Sequence, residues 1–322
     1  MMMNSKLPKV LQGLRLPVIA SPMFIVSTPQ LVIEQCKAGV IGSMPSLNAR
    51  PAEQLDDWLA EITETLAAYN AANPDKPAAP FAINQIVHKS NPRLEHDMAM
   101  CEKYKVPLII TSLGAREDVN KAVHGWGGVV MHDIINNFFA KKAIDKGADG
   151  LIAVAAGAGG HAGVKSPFAL VQEIRQWFDG PVALSGAIAT GDAVLAAQAM
   201  GADFGYIGSA FIATTEARAV PEYKQMIVSS NSDDIVYSNL FTGVHGNYLR
   251  GSIVAAGMDP DHLPESDPSK MDFGAAVTGA KAWKEIWGCG QGIGVIDAVL
   301  PTAELVARLT REYQAARARL AL

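Results

Sequence analysis

Eight short apolar runs recur along the first two thirds of the 322-residue chain, and their rhythm limits the fold more than any single motif does. They are "PVIASPM" (17–23), "GVIGSM" (39–44), "FAINQI" (81–86), "PLIITSL" (107–113), "GGVVMHDI" (127–134), "GLIAVAA" (150–156), "PVALSGAI" (181–188) and "FGYIGSAFI" (204–212). Each is too short for a helix and nearly continuous in hydrophobicity, as strands of a parallel sheet covered on its outer face should be. The segments between them carry helical spacing. Leu55, Trp58, Leu59, Ile62, Leu66 and Tyr69 fall on one face at intervals of three and four. "TGDAVLAAQAMG" opens with Thr190 as an N-cap, places Asp192 in the first turn and closes on Gly201; Gly39 and Gly147 are placed to close two other helices. Eight strands alternating with helices point to a (β/α)8 barrel, the TIM barrel; a doubly wound open sheet is the alternative, and the count of eight favours the barrel.

After Ile212 the rhythm breaks into a longer, more polar stretch. The expected organisation is a barrel domain over 1–213, an inserted, mostly helical cap over 214–300, and a C-terminal segment 301–322 that completes the barrel. Within that segment Thr302 to Leu320 reads as a helix with Leu305, Leu309 and Tyr313 facing inward.

Hydrophobic residues make up 49% of the chain and charged residues 18%, so a large core can be buried. A net charge of −5 with no block of Lys or Arg argues against a nucleic-acid surface. Cys36, Cys101 and Cys289 form no CxxC pair, which suits a reducing compartment and carries no zinc signature. The start, "MMMNSKLPKV", has no apolar core of signal-peptide length, and no stretch approaches the ~18 apolar residues of a membrane span. The expectation is a soluble cytoplasmic protein with no membrane or nucleic-acid partner.

In a barrel, chemistry gathers at the carboxyl ends of the strands. Several runs turn polar there: Asn84 and Gln85, Thr111 and Ser112, His132 and Asp133, Ser185, then Ser209. "GAGGHAG" (157–163) follows the sixth run directly, which places His161 on the active face. Its glycines let backbone approach something flat or charged, and a histidine can exchange a proton near neutrality. A tight turn with His161 capping a helix is the other reading. "SGAIATGD" after the seventh run and "GSA" at the end of the eighth occupy the places where barrels often bind phosphate through backbone N–H groups and a helix N-terminus. Small residues such as Gly186, Ala187, Gly208 and Ser209 permit that without any Lys or Arg; they could equally just pack a crowded rim.

His132 and Asp133 are adjacent on a strand and face opposite ways, so one meets the site and the other is structural. His245 and Tyr248 could reach down from the cap, while His88, His96, His124 and His262 read as surface or loop residues. There is no HExxH, no His/Cys cluster and no GxSxG, so a metal site or serine nucleophile has no support.

Taken together, "AGAGGHAG", "SGAIATGDAVLAAQAMGADFGYIGSAFIAT", "FAINQI" and "KAWKEIWGCGQGIG" resemble the nitronate monooxygenases, formerly called 2-nitropropane dioxygenases. The resemblance covers most of the chain and is most specific over the sixth to eighth runs. It implies an FMN-binding TIM barrel with a smaller helical domain over the site. Ser21, Pro22 and Met23 would line the flavin, Asn84 would contact the isoalloxazine edge, and Gly159 and Gly160 would let backbone run along it. Ser185, Gly186 and Ala187, with Gly208 and Ser209, would bind the FMN phosphate. His161 matches the family histidine that faces the substrate. The family often has glutamine or aspartate where this chain has Val154, some members have lysine where it has Asp133, and the usual paired glycine is Gly186–Ala187 here.

The implied activity is oxidation of an alkyl nitronate by O2 to a carbonyl compound and nitrite. One alternative is an NAD(P)H-dependent reductase of quinones or enoyl thioesters. No GxGxxG follows a strand, but a nicotinamide can also dock on an open flavin face. Another is a flavoprotein that binds without turnover. A homodimer stays open.

Overall fold

The computed structural model describes residues 7–266 and 285–321. Each of the eight apolar runs supplies one strand: β1 Val18–Ala20, β2 Gly42–Pro45, β3 Phe81–Ile86, β4 Leu108–Ser112, β5 Val129–Ile134 and β6 Gly150–Val154, then, after a two-residue strand β7 Gly160–His161, β8 Val182–Ser185 and β9 Phe204–Ile207. The order around the sheet is β1-β9-β8-β6-β5-β4-β3-β2, all neighbours parallel. The ring closes where Ala20 N–H donates to the Ile41 carbonyl at 2.8 Å and Ile41 N–H to Val18 at 3.1 Å. The fold is the (β/α)8 barrel expected from the count of runs.

Strand alternation divides every run between two environments. Ala82, Ile110, Met131, Ile152, Ala183 and Tyr206 fill the barrel interior. Ile83, Ile109, Val130, Leu151 and Val182 pack outward against the helices. Continued by two residues, the inward set runs to Asn84, Ser112, Asp133, Val154, Ser185 and Gly208; the outward set reaches Gln85, Thr111 and His132. The top of the barrel is therefore polar, and its floor is apolar.

The helices sit where spacing and caps place them. Gln54–Ala72 buries Leu55, Leu59, Ile62 and Leu66 and leaves Trp58 and Tyr69 half-buried. In Gly191–Met200 the Thr190 hydroxyl accepts from Ala193 N–H, and Gly201 ends the helix at φ +110°, a conformation that favours glycine. The C-terminal helix Thr302–Arg319 buries Leu305, Leu309 and Tyr313, and the Tyr313 hydroxyl donates to Gln198 at 2.6 Å.

The structure departs from the sequence reading in two places. The run 204–212 is not all strand: β9 stops at Ile207, and Ser209–Ile212 is one turn of helix. Within 214–300 the helices Pro221–Ser229 and Arg250–Ala255 are joined by an unanticipated hairpin, β10 Ile235–Ser238 with β11 Gly246–Leu249. β11 also pairs with β7, through Gly246 opposite His161 and Asn247 opposite Gly160. The hairpin thus ties this segment to the loop that follows β6. The first four residues of "KAWKEIWGCGQGIG" lie outside the described residues.

Candidate active site

The inward polar residues form a bonded row across three strands. Asn84 Nδ2 donates to Ser112 Oγ at 2.7 Å and to the Ile110 carbonyl at 3.1 Å, and Ser112 Oγ donates to Asp133 Oδ2 at 2.5 Å. Asp133 Oδ1 is shielded from solvent and has no hydrogen-bond partner among the described residues. Burial pushes the Asp133 carboxyl up to about 6, against the opposite pull of the Ser112 hydrogen bond. Its neighbour faces away: His132 Nδ1 bonds Thr111 Oγ1 at 2.6 Å on the helix side, and burial pushes it down to about 4. Asp133 therefore meets the site and His132 is structural. Gln85 likewise turns to the helix layer, between Ser46 and Cys101.

The loops after β1 and β9 meet at Gly208. A Cβ there would lie 3.4 Å from Ser21 Cβ and 3.8 Å from Met23 Sδ. Ser21 N–H donates to the Ile207 carbonyl, and its hydroxyl bonds the buried Tyr206 phenol. Pro22 and Met23 follow, half-buried. Asn48, which the sequence reading passes over, staples this loop: its Nδ2 donates to the Met23 and Ser27 carbonyls, and its Oδ1 accepts from Ile25 N–H at 2.8 Å. Ile25 sits at φ +67°, an uncommon conformation for a β-branched residue.

The glycines of 157–163 divide in role. A Cβ on Gly159 would lie 2.7 Å from Gly290 N, so this glycine is required by the close passage of segment 288–290. Gly160, at φ +64°, faces open space, with nothing within 4 Å of its missing Cβ. His161 Nε2 bonds Thr242 Oγ1 at 2.9 Å, and burial pushes the imidazole down to about 4, so it is neutral at neutral pH. The hairpin fixes the loop around it. Asn247 Nδ2 donates to Ala158 at 2.7 Å, Ala162 N–H to His245, and the Tyr237 hydroxyl to Ala162. His245 itself is exposed and stacks on Tyr237, while Tyr248, on β11, is buried. Thr242 and Asn247 escape sequence reasoning because nothing local marks them.

In the phosphate-type loops, Ser185 is half-buried, and Gly186 and Ala187 both have positive φ, +135° and +55°. The Ser209 hydroxyl is engaged elsewhere: it accepts from Gly290 N–H at 2.9 Å and bonds the Cys289 thiol. The helix N-terminus after β8 is engaged too, since Glu312 Oε2 accepts from Gly191 N–H at 2.8 Å beside the Thr190 cap. That carboxylate already occupies the end of the helix dipole.

Cys36, Cys101 and Cys289 are buried, with thiols pushed up to about 12, which leaves no thiolate nucleophile near neutrality. No group of metal-ligating side chains occurs among the described residues, and none of their helices is long and apolar enough to cross a membrane.

A sequence model of the nitronate monooxygenase family matches residues 6–312. The nitronate monooxygenase of Paraburkholderia phytofirmans is 26% identical over 350 aligned residues, covering 94% of each chain. Two solved structures share the fold. Nitroalkane oxidase from Streptomyces ansochromogenes superposes with a TM-score of 0.79 at 21% identity, covering 97% of this chain and 100% of that one. FabK from Thermotoga maritima gives 0.78 at 22% identity over 97% and 96%. A family match across nearly its whole length, on a TIM barrel, makes this chain a flavin-dependent oxidoreductase that belongs to the nitronate monooxygenase family.

Proposed function

We propose that the flavin is FMN and that the enzyme oxidises alkyl nitronates, or the parent nitroalkanes, with O2 to a carbonyl compound and nitrite. The observation that carries this reading is His161. It is neutral, it belongs to the loop that follows β6 at the carboxyl end of the barrel, and it is held by a hairpin from the 214–300 segment. We take that segment to be a cap on a barrel made by 1–213 and completed by 301–322.

The residues present fit a flat, polar-edged cofactor. Gly160 leaves open space beside His161, and Asp133 has an oxygen in the polar layer with no partner among the described residues. Ser21, Pro22 and Met23 would line the cofactor. Asn84, with both amide hydrogens engaged, would meet it through Oδ1. Gly160 would run along its face, with Gly159 keeping the loop closed behind. The phosphate would lie between Ser185, Gly186 and Ala187 and the Gly208–Ser209 turn, held by backbone N–H groups other than that of Ala187, which donates to Gly157 at 3.3 Å, because the Ser209 hydroxyl is already taken. When bound, FMN supplies the capacity to accept electrons from the substrate and pass them to O2.

The protein supplies proton handling and exclusion of water. Burial keeps His161 uncharged, so it can take the carbon-bound proton of a neutral nitroalkane, and its bond to Thr242 fixes the ring. A preformed nitronate needs only a hydrogen bond from the same residue. His161→Ala is therefore expected to keep its flavin, to lose roughly 10²–10⁴ in turnover of a nitroalkane and to lose less with the nitronate. Equal, small losses on both substrates would make His161 structural.

A further inference from the structure

Three arginines converge beside the loop that leads away from Ser21–Met23. Arg50 lies over the Phe24 ring, its guanidinium carbon 4.9 Å from the centroid. Arg218 Nε donates to the carbonyl of the next residue, Ile25, at 2.8 Å, and its guanidinium sits 5.8 Å from the Trp58 ring. Arg93 Nη1 donates to the Ala49 carbonyl, next to Arg50, at 2.6 Å. They belong to the segments that leave the carboxyl ends of β2, β3 and β9, beside the loop after β1 and on the same face as His161.

Like charges this close repel, and backbone carbonyls offset them in part: Arg50 Nε donates to Leu47 at 3.2 Å and Arg93 Nη2 to Ser46 at 3.3 Å. Arg93 pairs with Asp97 at 3.0 Å; no ion pair to Arg50 or Arg218 occurs among the described residues. Burial, followed by the charges of Arg93 and Arg218, holds the Arg50 guanidinium below its usual range. Arg50 Nη2 and Arg93 Nε are shielded from solvent and have no acceptor among the described residues. A buried donor without a partner is costly, and a planar guanidinium matches the oxygens of a phosphate.

We propose that Arg50, Arg93 and Arg218 form a phosphate-binding site on the rim of the barrel mouth, which takes the phosphate or diphosphate end of a substrate or co-substrate. The ligand's reactive end reaches the mouth along Phe24 and Met23, which follow Ser21 and Pro22 directly. The site's three arginines are none of the residues assigned to the FMN phosphate, although Arg218 follows Gly208 and Ser209 on the segment after β9. The site does not depend on nitro chemistry.

Titration calorimetry on the flavin-loaded enzyme tests it without turnover. Pyrophosphate, inorganic phosphate, ADP and NADPH are the probes, at matched ionic strength against chloride, since salt screens such contacts. Saturable pyrophosphate or ADP binding is expected, weakened about tenfold in Arg50→Gln and in Arg218→Gln, as for loss of one charge-assisted contact. Arg218 is exposed, so its replacement spares the fold even if Arg50→Gln does not. Lys121→Gln, on the outer helix Glu117–Gly125, should change nothing. ADP or NADPH binding more tightly than pyrophosphate, and competing with it, assigns the site to a nucleotide; pyrophosphate binding more tightly assigns it to a simpler phosphoester. No saturable binding of any probe, or binding indifferent to both arginine variants, overturns the proposal. The nitronate reading stands or falls separately, by turnover.

Discussion

A methyl group at Gly159 would press on the backbone of Gly290, whereas one at Gly160 would project into open space. The two glycines therefore separate fold from function. Gly159→Ala should lower unfolding stability by about 1–3 kcal/mol, the usual range for overpacking against backbone. Gly160→Ala should cost only about 1–2 kcal/mol, for a left-handed conformation, while impairing flavin retention or turnover out of proportion. Denaturant titration beside bound-flavin absorbance checks both, and unchanged flavin retention and turnover in Gly160→Ala would reverse the assignment. Asp133 makes a second case. It is the one acid on the eight barrel strands, where the other titratable side chains are the outward His132 and the phenol of Tyr206. As its carboxyl ionises above about pH 6, an anionic nitronate should bind less well, and Asp133→Asn should remove that dependence from kcat/KM. An unchanged pH profile in the variant would exclude Asp133 from the site. Much of this was legible in the sequence. Strand alternation says that one of His132 and Asp133 faces the mouth, but not which, because that depends on barrel register. The bonds of Asn84, Ser112 and Asp133 on one side, and of Thr111 and His132 on the other, decide it.

Among the elements, the hairpin β10–β11 is what holds the loop that carries His161. Its hold on that loop runs through β7 and the side chain of Asn247, which is 3% exposed. Asn247→Ala leaves the Ala158 carbonyl without its donor, a loss of about 1–3 kcal/mol if it stays buried. Hydrogen exchange should rise at 235–249 and around 158–162 while the barrel strands keep their protection, and turnover should fall with it. Protection lost uniformly across the barrel would mean that the hairpin is part of the barrel's own stability. The hairpin was not legible because its strands have four residues each and their seven-residue connection lacks a two-residue turn signature. The end of β9 was hidden for another reason. "FGYIGSAFI" is apolar throughout, and periodicity cannot mark where a buried strand gives way to a buried helical turn. The caps at Thr190 and Gly201, by contrast, were readable because capping chemistry is local.

Across the whole molecule, the buried titratable groups predict an acid-sensitive fold. His132 and His161 are held down to about 4, below their ordinary value of 6.5. The unfolded chain binds those protons first, so their contribution is present above pH 6.5 and lost as the pH falls toward 4. Asp133, raised from 3.8 to about 6, works the other way: its contribution is present below pH 3.8 and lost as the pH rises through 6. Two groups against one leave a net loss on acidification, on the order of 3 kcal/mol. His132→Gln should flatten that limb, because His161 and Asp133 then nearly cancel. Urea unfolding between pH 7 and 4.5 reads the difference, and an identical acid limb in the variant would contradict the burial of His132. On the proposed reading, the barrel mouth holds FMN beneath a neutral His161 and oxidises nitro compounds. The visible spectrum of the purified protein, recorded anaerobically before and after ethylnitronate is added, tests it most directly. A yellow protein is expected, whose flavin bands bleach on addition and whose cofactor, released by heat, is FMN. A colourless protein that takes up no FMN, or a flavin that ignores the nitronate and is reduced only by NADH, would contradict it.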